Sequence, residues 1–357
     1  MNDRTITPHA SYHWNHQDPR FFEGWYFRVT LPQEKQSFAF IYSIEDPLGG
    51  QAISGGVVQI LGPDEQYLCR TFPDVTQFWA SPSRLELGHW RKTTLKLRPQ
   101  LLQPPIFARD IQEGYQATTT LHQGYIRDPA TGQDCRWYYE VKPIYGWGKP
   151  NETQKATAGW LSYLPIADPG WQVLTAYGLA SGWIEWHNQR YDFEDVPFYG
   201  EKNWGHSFPE KWFWINCNSF FNESDLTLTA VGTKRKVLWW SELVGLIGIH
   251  HQGQFYAFGS LDSQLTWSIQ PWGQWEIQAQ NQYYSVKLLG TTQNSGTWLR
   301  VPTEQGLQFG CRDTLKGDLI LELKDNTGKI IIDEKSDLSG LEIGGHPWDE
   351  VWKKEFT

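Results

Sequence analysis

Apolar and polar residues alternate with a period of two along most of this chain, and turn residues break the alternation at short intervals. Strands are predicted over 37–44 and 57–61, with Gly49-Gly50 and Gly55-Gly56 punctuating the hairpin. The same pattern marks 84–90, 115–121 and 136–141. In the second half it marks 226–231, 237–240, 255–258, 265–269, 275–279, 283–289 and 319–323. Gly, Asn, Asp and Pro separate these segments, as they do in antiparallel barrels and sandwiches. Few windows hold a helical period, and 347–355 is predicted as one short helix. The expected fold class is all-β.

One stretch organises the pattern. Phe198-Tyr199-Gly200-Glu201-Lys202-Asn203-Trp204-Gly205 leads through Pro209 into Lys211-Trp212-Phe213-Trp214. It reads as a charged turn followed by an aromatic strand, because Pro209 cannot sit inside a central strand. Asp18-Pro19-Arg20-Phe21-Phe22-Glu23-Gly24-Trp25-Tyr26 has the same grammar near the N-terminus. Ser181-Gly182-Trp183-Ile184 running into Phe198 rhymes with Thr327-Gly328-Lys329-Ile330 running into Gly344. Two copies of one β unit are therefore expected, as domains 1–199 and 200–357, with Trp25 matching Trp212. A chain of 357 residues gives each copy an ample core. A binding site where the two meet is the default expectation.

Composition narrows the function. The net charge of −9 comes with scattered Lys and Arg, which excludes the basic face that nucleic-acid binding needs. The chain holds 21 Trp, 16 Tyr and 18 Phe but one Met. Strand filling accounts for most of these rings. A Trp content this high also favours a large ring-shaped or isoprenoid-like ligand. Cys69, Cys135, Cys217 and Cys311 are far apart and read as small buried residues in a reducing compartment. No charged and apolar leader opens the chain, and no transit-like segment is visible, so a bacterial, non-secreted protein is expected. The best apolar run, 243–249, is too short to span a bilayer.

Phosphate-cradling glycine loops and the Gly-x-Ser-x-Gly elbow are missing. His13-Trp14-Asn15-His16 and His250-His251 lack Cys or carboxylate partners at ligand spacing, so they are read as solvated or strand-edge histidines and no metal is expected. Glu201 is the unusual group. A carboxylate in an aromatic wall is either paired, here with Lys202 or Lys211, or held protonated. The protonated state is what an acid catalyst needs.

With Glu201-Lys202-Asn203-Trp204-Gly205, Phe208-Pro209 and Lys211-Trp212-Phe213-Trp214, the chain resembles the tocopherol cyclases, enzymes of plants and cyanobacteria that close the chromanol ring of vitamin E. Phe22-Glu23-Gly24-Trp25-Tyr26, Phe78-Trp79-Ala80, Tyr145-Gly146-Trp147-Gly148, Gly159-Trp160-Leu161 and Ser181-Gly182-Trp183-Ile184-Glu185-Trp186 extend the resemblance over most of the chain. More distantly it is similar to carotenoid hydratases and fungal cyclases of two-barrel, lipocalin-like type.

The resemblance implies two tandem lipocalin-like antiparallel β-barrels with the ligand pocket at their junction. It implies a phytyl benzoquinol as substrate and γ- or δ-tocopherol as product. Protonating the prenyl alkene gives a tertiary cation that the ring hydroxyl traps, and no electrons are exchanged, so no cofactor is expected. Aromatic walls stabilise such a cation by about 2 kcal/mol where water is excluded. Glu201 is the expected acid and Glu23 the second choice. Asn203 and His206 are expected to orient the quinol hydroxyls, with turn capping as the alternative. Trp25, Tyr26, Trp204, Trp212 and Trp214, with Lys202 and Asn218, form the expected substrate-binding set, divided between pocket and core by strand alternation. The insoluble substrate implies a cytoplasmic protein peripheral to thylakoid or lipid-body membranes. A prenylquinone carrier without chemistry, or a hydratase of an isoprenoid alkene, would use the same cavity; only an enzyme needs the placed acid.

Overall fold

The computed structural model describes residues 7–18, 20–163, 168–237, 240–259 and 262–355. The chain forms two compact units. The first takes Met1–Leu31, Phe38–Ser207 and Pro302–Leu307; the second takes Pro32–Ser37, Phe208–Val301 and Gln308–Thr357.

The first sheet contains β1 (Phe22–Leu31), β2 (Gln36–Glu45), β3 (Gly55–Leu61), β4 (Tyr67–Phe72), β5 (Phe78–Ala80), β6 (Glu86–Thr93), β7 (Ile111–Thr118), β8 (Leu121–Arg127), β9 (Asp134–Tyr145), β10 (Gly170–Trp186) and β11 (Gln189–Gly205). Their spatial order is β4-β3-β2-β1-β11-β10-β9-β8-β7-β6-β5. The second contains β12 (Lys211–Cys217), β13 (Leu226–Val237), β14 (Trp240–His251), β15 (Gln254–Gly259), β16 (Gln264–Ile269), β17 (Gln274–Gln280), β18 (Tyr284–Thr291), β19 (Thr297–Thr303), β20 (Gly306–Asp325), β21 (Ile330–Gly345) and β22 (Trp352–Lys354). It runs β15-β14-β13-β12-β21-β20-β18-β17-β16-β22, with β19 beside β20. In each sheet the first strand pairs with the last long one and the next three fan outward. That shared plan is the signature of the expected duplication. The protein is all-β, built from two curled antiparallel half-barrels, with a short helix at Pro104–Asp110.

Each sheet closes on its own core. The first is ring-rich, with Trp25, Phe27, Phe38, Phe40, Tyr42, Tyr115, Trp137 and Tyr139. The second is more aliphatic, with Ile215, Leu228, Ile249, Leu288, Leu321 and Leu341 around Phe213 and Trp267. Most outer strands behave as alternation demands. In β17, Trp275, Ile277 and Ala279 are buried and the residues between them largely exposed. β12 is buried at every position, and β1 is buried on both faces over its second half. The sequence of β12, Lys-Trp-Phe-Trp-Ile-Asn-Cys, therefore carries aromatic and polar groups on a face that other strands give to solvent.

Several expectations change. Glu201-Lys202-Asn203 is not a turn: it lies inside β11, hydrogen-bonded to both β1 and β10. The boundary drawn between 199 and 200 thus falls within a strand, and the first unit continues to Ser207. The 115–121 segment spans the end of β7, a turn and the start of β8. Residues 237–240 are not one strand: Val237 ends β13, Trp240 begins β14 opposite it, and 238–239 lie outside the described residues. The expected 347–355 helix is absent. Trp352–Lys354 instead adds to the edge of β16, burying Trp352 against Phe213 and Trp267. Pairing with a neighbouring strand overrides local periodicity there.

Candidate active site

Register fixes which side chains meet on β1 and β11. Glu23 lies opposite Trp204, Trp25 opposite Lys202, and Tyr26 opposite Glu201. Trp25, Phe27 and Phe198 face the first core, so Lys202 and Glu23 face it too, and Tyr26, Tyr199 and Glu201 take the other face.

On the core side, Lys202 and Glu23 form a fully buried ion pair, Nζ to Oε1. Nζ also donates to the Ser11 carbonyl at 2.7 Å and to His13 Nδ1 at 3.0 Å. The His13 backbone N–H donates to Glu23 Oε2 at 2.9 Å. The His13 ring stacks on Trp204 at 4.0 Å and 6°. With Nδ1 accepting from Lys202, His13 Nε2 is the donor to His9 Nδ1, 3.2 Å away. Burial lowers the pKa of His13 despite the bond to Glu23, and lowers that of His9 to about 4, so both rings are neutral near pH 7. Burial also lowers Lys202, although Glu23 opposes the shift. The ammonium sits 5.1 Å from the Trp204 ring and 5.6 Å from Trp25. This cluster pins residues 9–13 to the sheet. Glu23 is committed to an ammonium and a backbone N–H.

On the other face, the Tyr199 hydroxyl donates to Glu201 Oε2 at 2.6 Å, and both residues are buried. Tyr26 packs edge-on to Tyr199 at 6.4 Å. Arg28, wholly buried, follows Tyr26 on this face. Asn203 shares it, opposite Gly24 and half-buried. His206 lies just past the strand. Its Nδ1 bonds Asp168 Oδ2 at 2.6 Å, its Nε2 bonds Asp18 Oδ2 at 2.8 Å, and its backbone N–H donates to Asp168 Oδ1 at 3.0 Å. Partial burial alone would lower its pKa, but the two carboxylates outweigh that and raise it. His206 is an exposed clamp with both ring nitrogens occupied.

In the second unit, Phe213, Ile215 and Cys217 face the core, so Trp212, Trp214, Asn216 and Asn218 point away from it, and all four are nonetheless buried. The structure thus separates the matched tryptophans: Trp25 packs in a core, whereas Trp212 lies on an outer face. Trp212 crosses Gly344 on β21, where a Cβ would stand 1.9 Å from the indole. That passage brings its Nε1–H to Glu342 Oε1. Glu342 lies opposite Trp214 on one side and Asp313 on the other. Burial raises its pKa, with hydrogen bonds from Trp212 and Cys311 opposing the shift.

The sequence singles out Glu23, Lys202, Glu201 and the aromatic pairs as candidates. It gives no such role to His13, His9, Tyr199 or Glu342. His13 was discounted for want of a partner at ligand spacing; its partner is a lysine almost two hundred positions away. Glu342 left one signal, a carboxylate between the inward-facing Leu341 and Ile343 immediately before Gly344. His250 is buried at the end of β14, and His251 pairs with Glu223 at 3.2 Å. Among the described residues no helix is long and apolar enough to cross a membrane.

Residues 19–345 match the model of the family described as tocopherol cyclase-like. "Probable tocopherol cyclase, chloroplastic" of Oryza sativa subsp. japonica is 41% identical over 98% of this chain and 81% of its own length. "Tocopherol cyclase, chloroplastic" of Zea mays is 41% identical over 98% of this chain and 80% of its own. Among solved structures, that of CghA with Sch210972 superposes with a TM-score of 0.50 at 7% identity, covering 92% of this chain and 89% of the other, which shows a shared fold. The match extends through both sheets, from the start of β1 to the end of β21, and on that basis the chain belongs to the tocopherol cyclase-like family.

Proposed function

We propose that this protein is a tocopherol cyclase. It closes the chromanol ring of a phytyl benzoquinol, giving γ- or δ-tocopherol. The observation that carries the reading is the 41% identity to the rice and maize cyclases over 98% of the chain. Features of the structure support the reading. Carboxyls stand among indole and phenol rings, buried Glu201 with Tyr199 and Tyr26, and half-buried Glu342 with Trp212 and Trp214. Protonation of the trisubstituted alkene concentrates positive charge on a tertiary carbon, and ring faces stabilise that charge once water is excluded. Folding the long tail over the quinol ring is chiefly an entropic problem, met by a shaped, rigid wall. Asn203, half-buried at the edge of the Glu201 face, would orient a quinol hydroxyl. His206 serves instead to join the Asp18 and Asp168 segments.

The substrate dissolves in lipid, so the enzyme works as a peripheral protein at a membrane or lipid-body surface such as the thylakoid. The experiment is direct. Purified protein incubated with a phytyl benzoquinol yields the chromanol, with no nicotinamide, flavin or metal added. Quinol binding without chromanol formation would mark a carrier, and a hydrated tail would mark a hydratase.

A further inference from the structure

A reaction begun by alkene protonation needs a carboxyl that keeps its proton near neutral pH and faces rings rather than a cation. Glu23 fails on the second count because Lys202 holds it. Glu342 meets the structural requirement. It is half-buried on the outer face of β21, its Oε1 accepts the Trp212 indole N–H, and Trp214 stands directly opposite in register. Among the described residues no Lys, Arg or His pairs with its side chain. Among the described residues, the titratable groups facing it from β20 are Cys311, whose thiol burial pushes upward, and Asp313, opposite in register. No titratable group of β21 shares its face nearby, since two positions away on each side lie Gly340 and Gly344.

We propose that Glu342 is the proton donor of ring closure, the catalytic residue that contacts the prenyl alkene. This rests on the cyclase reading. In the step, the Glu342 O–H bond breaks and its proton forms a C–H bond with the π pair of the alkene. A tertiary cation and a carboxylate result. A lone pair of the quinol hydroxyl forms the C–O bond, and the phenolic proton it releases neutralises the carboxylate. Product and substrate are isomers, and no electron acceptor is consumed. The indole N–H on Oε1 stabilises the carboxylate formed when the proton leaves. Burial supports the assignment by holding the carboxyl above the ordinary carboxylate range.

The test is Glu342→Gln, which keeps the shape and the acceptor for Trp212 but has no acidic proton. Chromanol formation should fall by about 10²–10⁴-fold. Quinol binding, followed by tryptophan fluorescence, should stay within a few-fold of the wild type, and thermal stability at pH 7 should be unchanged or higher. Near-wild-type turnover in the folded variant overturns the proposal. A second measurement needs no variant: wild-type turnover should be flat at low pH and fall as pH rises through the raised value of the acid. A profile that rises across neutrality overturns the proposal as well. A wild-type protein that binds the quinol and yields no chromanol overturns the cyclase reading itself; active wild type with active Glu342→Gln overturns only the donor assignment.

Discussion

Lys202→Met offers the sharpest test of the buried cluster. The substitution keeps an unbranched side chain one atom shorter and leaves Glu23, which has no exposed surface, with one backbone N–H from His13 in place of an ammonium. Breaking a fully buried ion pair from one side costs about 3–5 kcal/mol, against about 5–15 kcal/mol for a whole domain. The ammonium also holds the Ser11 carbonyl and His13 Nδ1, so residues 9–13 should come loose and Trp204 should lose its stacked partner. Burial outweighs the attraction of Glu23 in setting the Lys202 pKa. The pair is therefore no large net asset, and Glu23→Gln/Lys202→Met should recover a good part of what either single change loses. The sign follows for pH too. A lysine lowered in the folded state loses its proton there more readily than in the unfolded chain. Wild-type stability should then rise between the lowered value and 10.5, and Lys202→Met should remove that slope. The assay is urea unfolding of the four proteins in a double-mutant cycle, with limited proteolysis of the N-terminal segment. A loss below about 1 kcal/mol, additive with Glu23→Gln, is the behaviour of an exposed pair and would refute the reasoning.

Three further outcomes are expected. With Glu342 as donor, Glu201→Gln should keep turnover within about tenfold of wild type; a loss of about 10²–10⁴-fold in folded protein would return the acid role to Glu201. His206→Ala should cost about 0–1 kcal/mol, since the ring is largely exposed; because the folded pKa is raised, the cost should be fully present below pH 6.5 and vanish as pH rises through the raised value, which thermal melts across that range would show. Gly344→Ala places a Cβ where the Trp212 indole lies and should destabilise the second unit by about 1–3 kcal/mol while breaking the Trp212–Glu342 bond; unchanged melting would show that the ring has room to move.

The sequence by itself determined the fold class and the duplicated plan. Period-two alternation is a local property of strands, and turn residues interrupt it at positions readable one by one, as in β2, β3, β9 and β17. The motifs around Glu23, Glu201 and Trp212 were likewise enough to carry the family. Facing and pairing were decided only by the tertiary structure. Glu201-Lys202-Asn203 looks like a turn until β1 and β10 bond to both its edges, and the 347–355 tail looks helical until β16 offers an edge. A one-residue difference in register separates Trp25 in a core from Trp212 on an outer face, though their local sequences match. Lys202 stands beside Glu201 in sequence but bonds Glu23, because neighbours on a strand point to opposite sides. The surroundings of Glu342 are wholly tertiary: an indole reaches it across Gly344, and desolvation raises its pKa, neither of which a local pattern encodes.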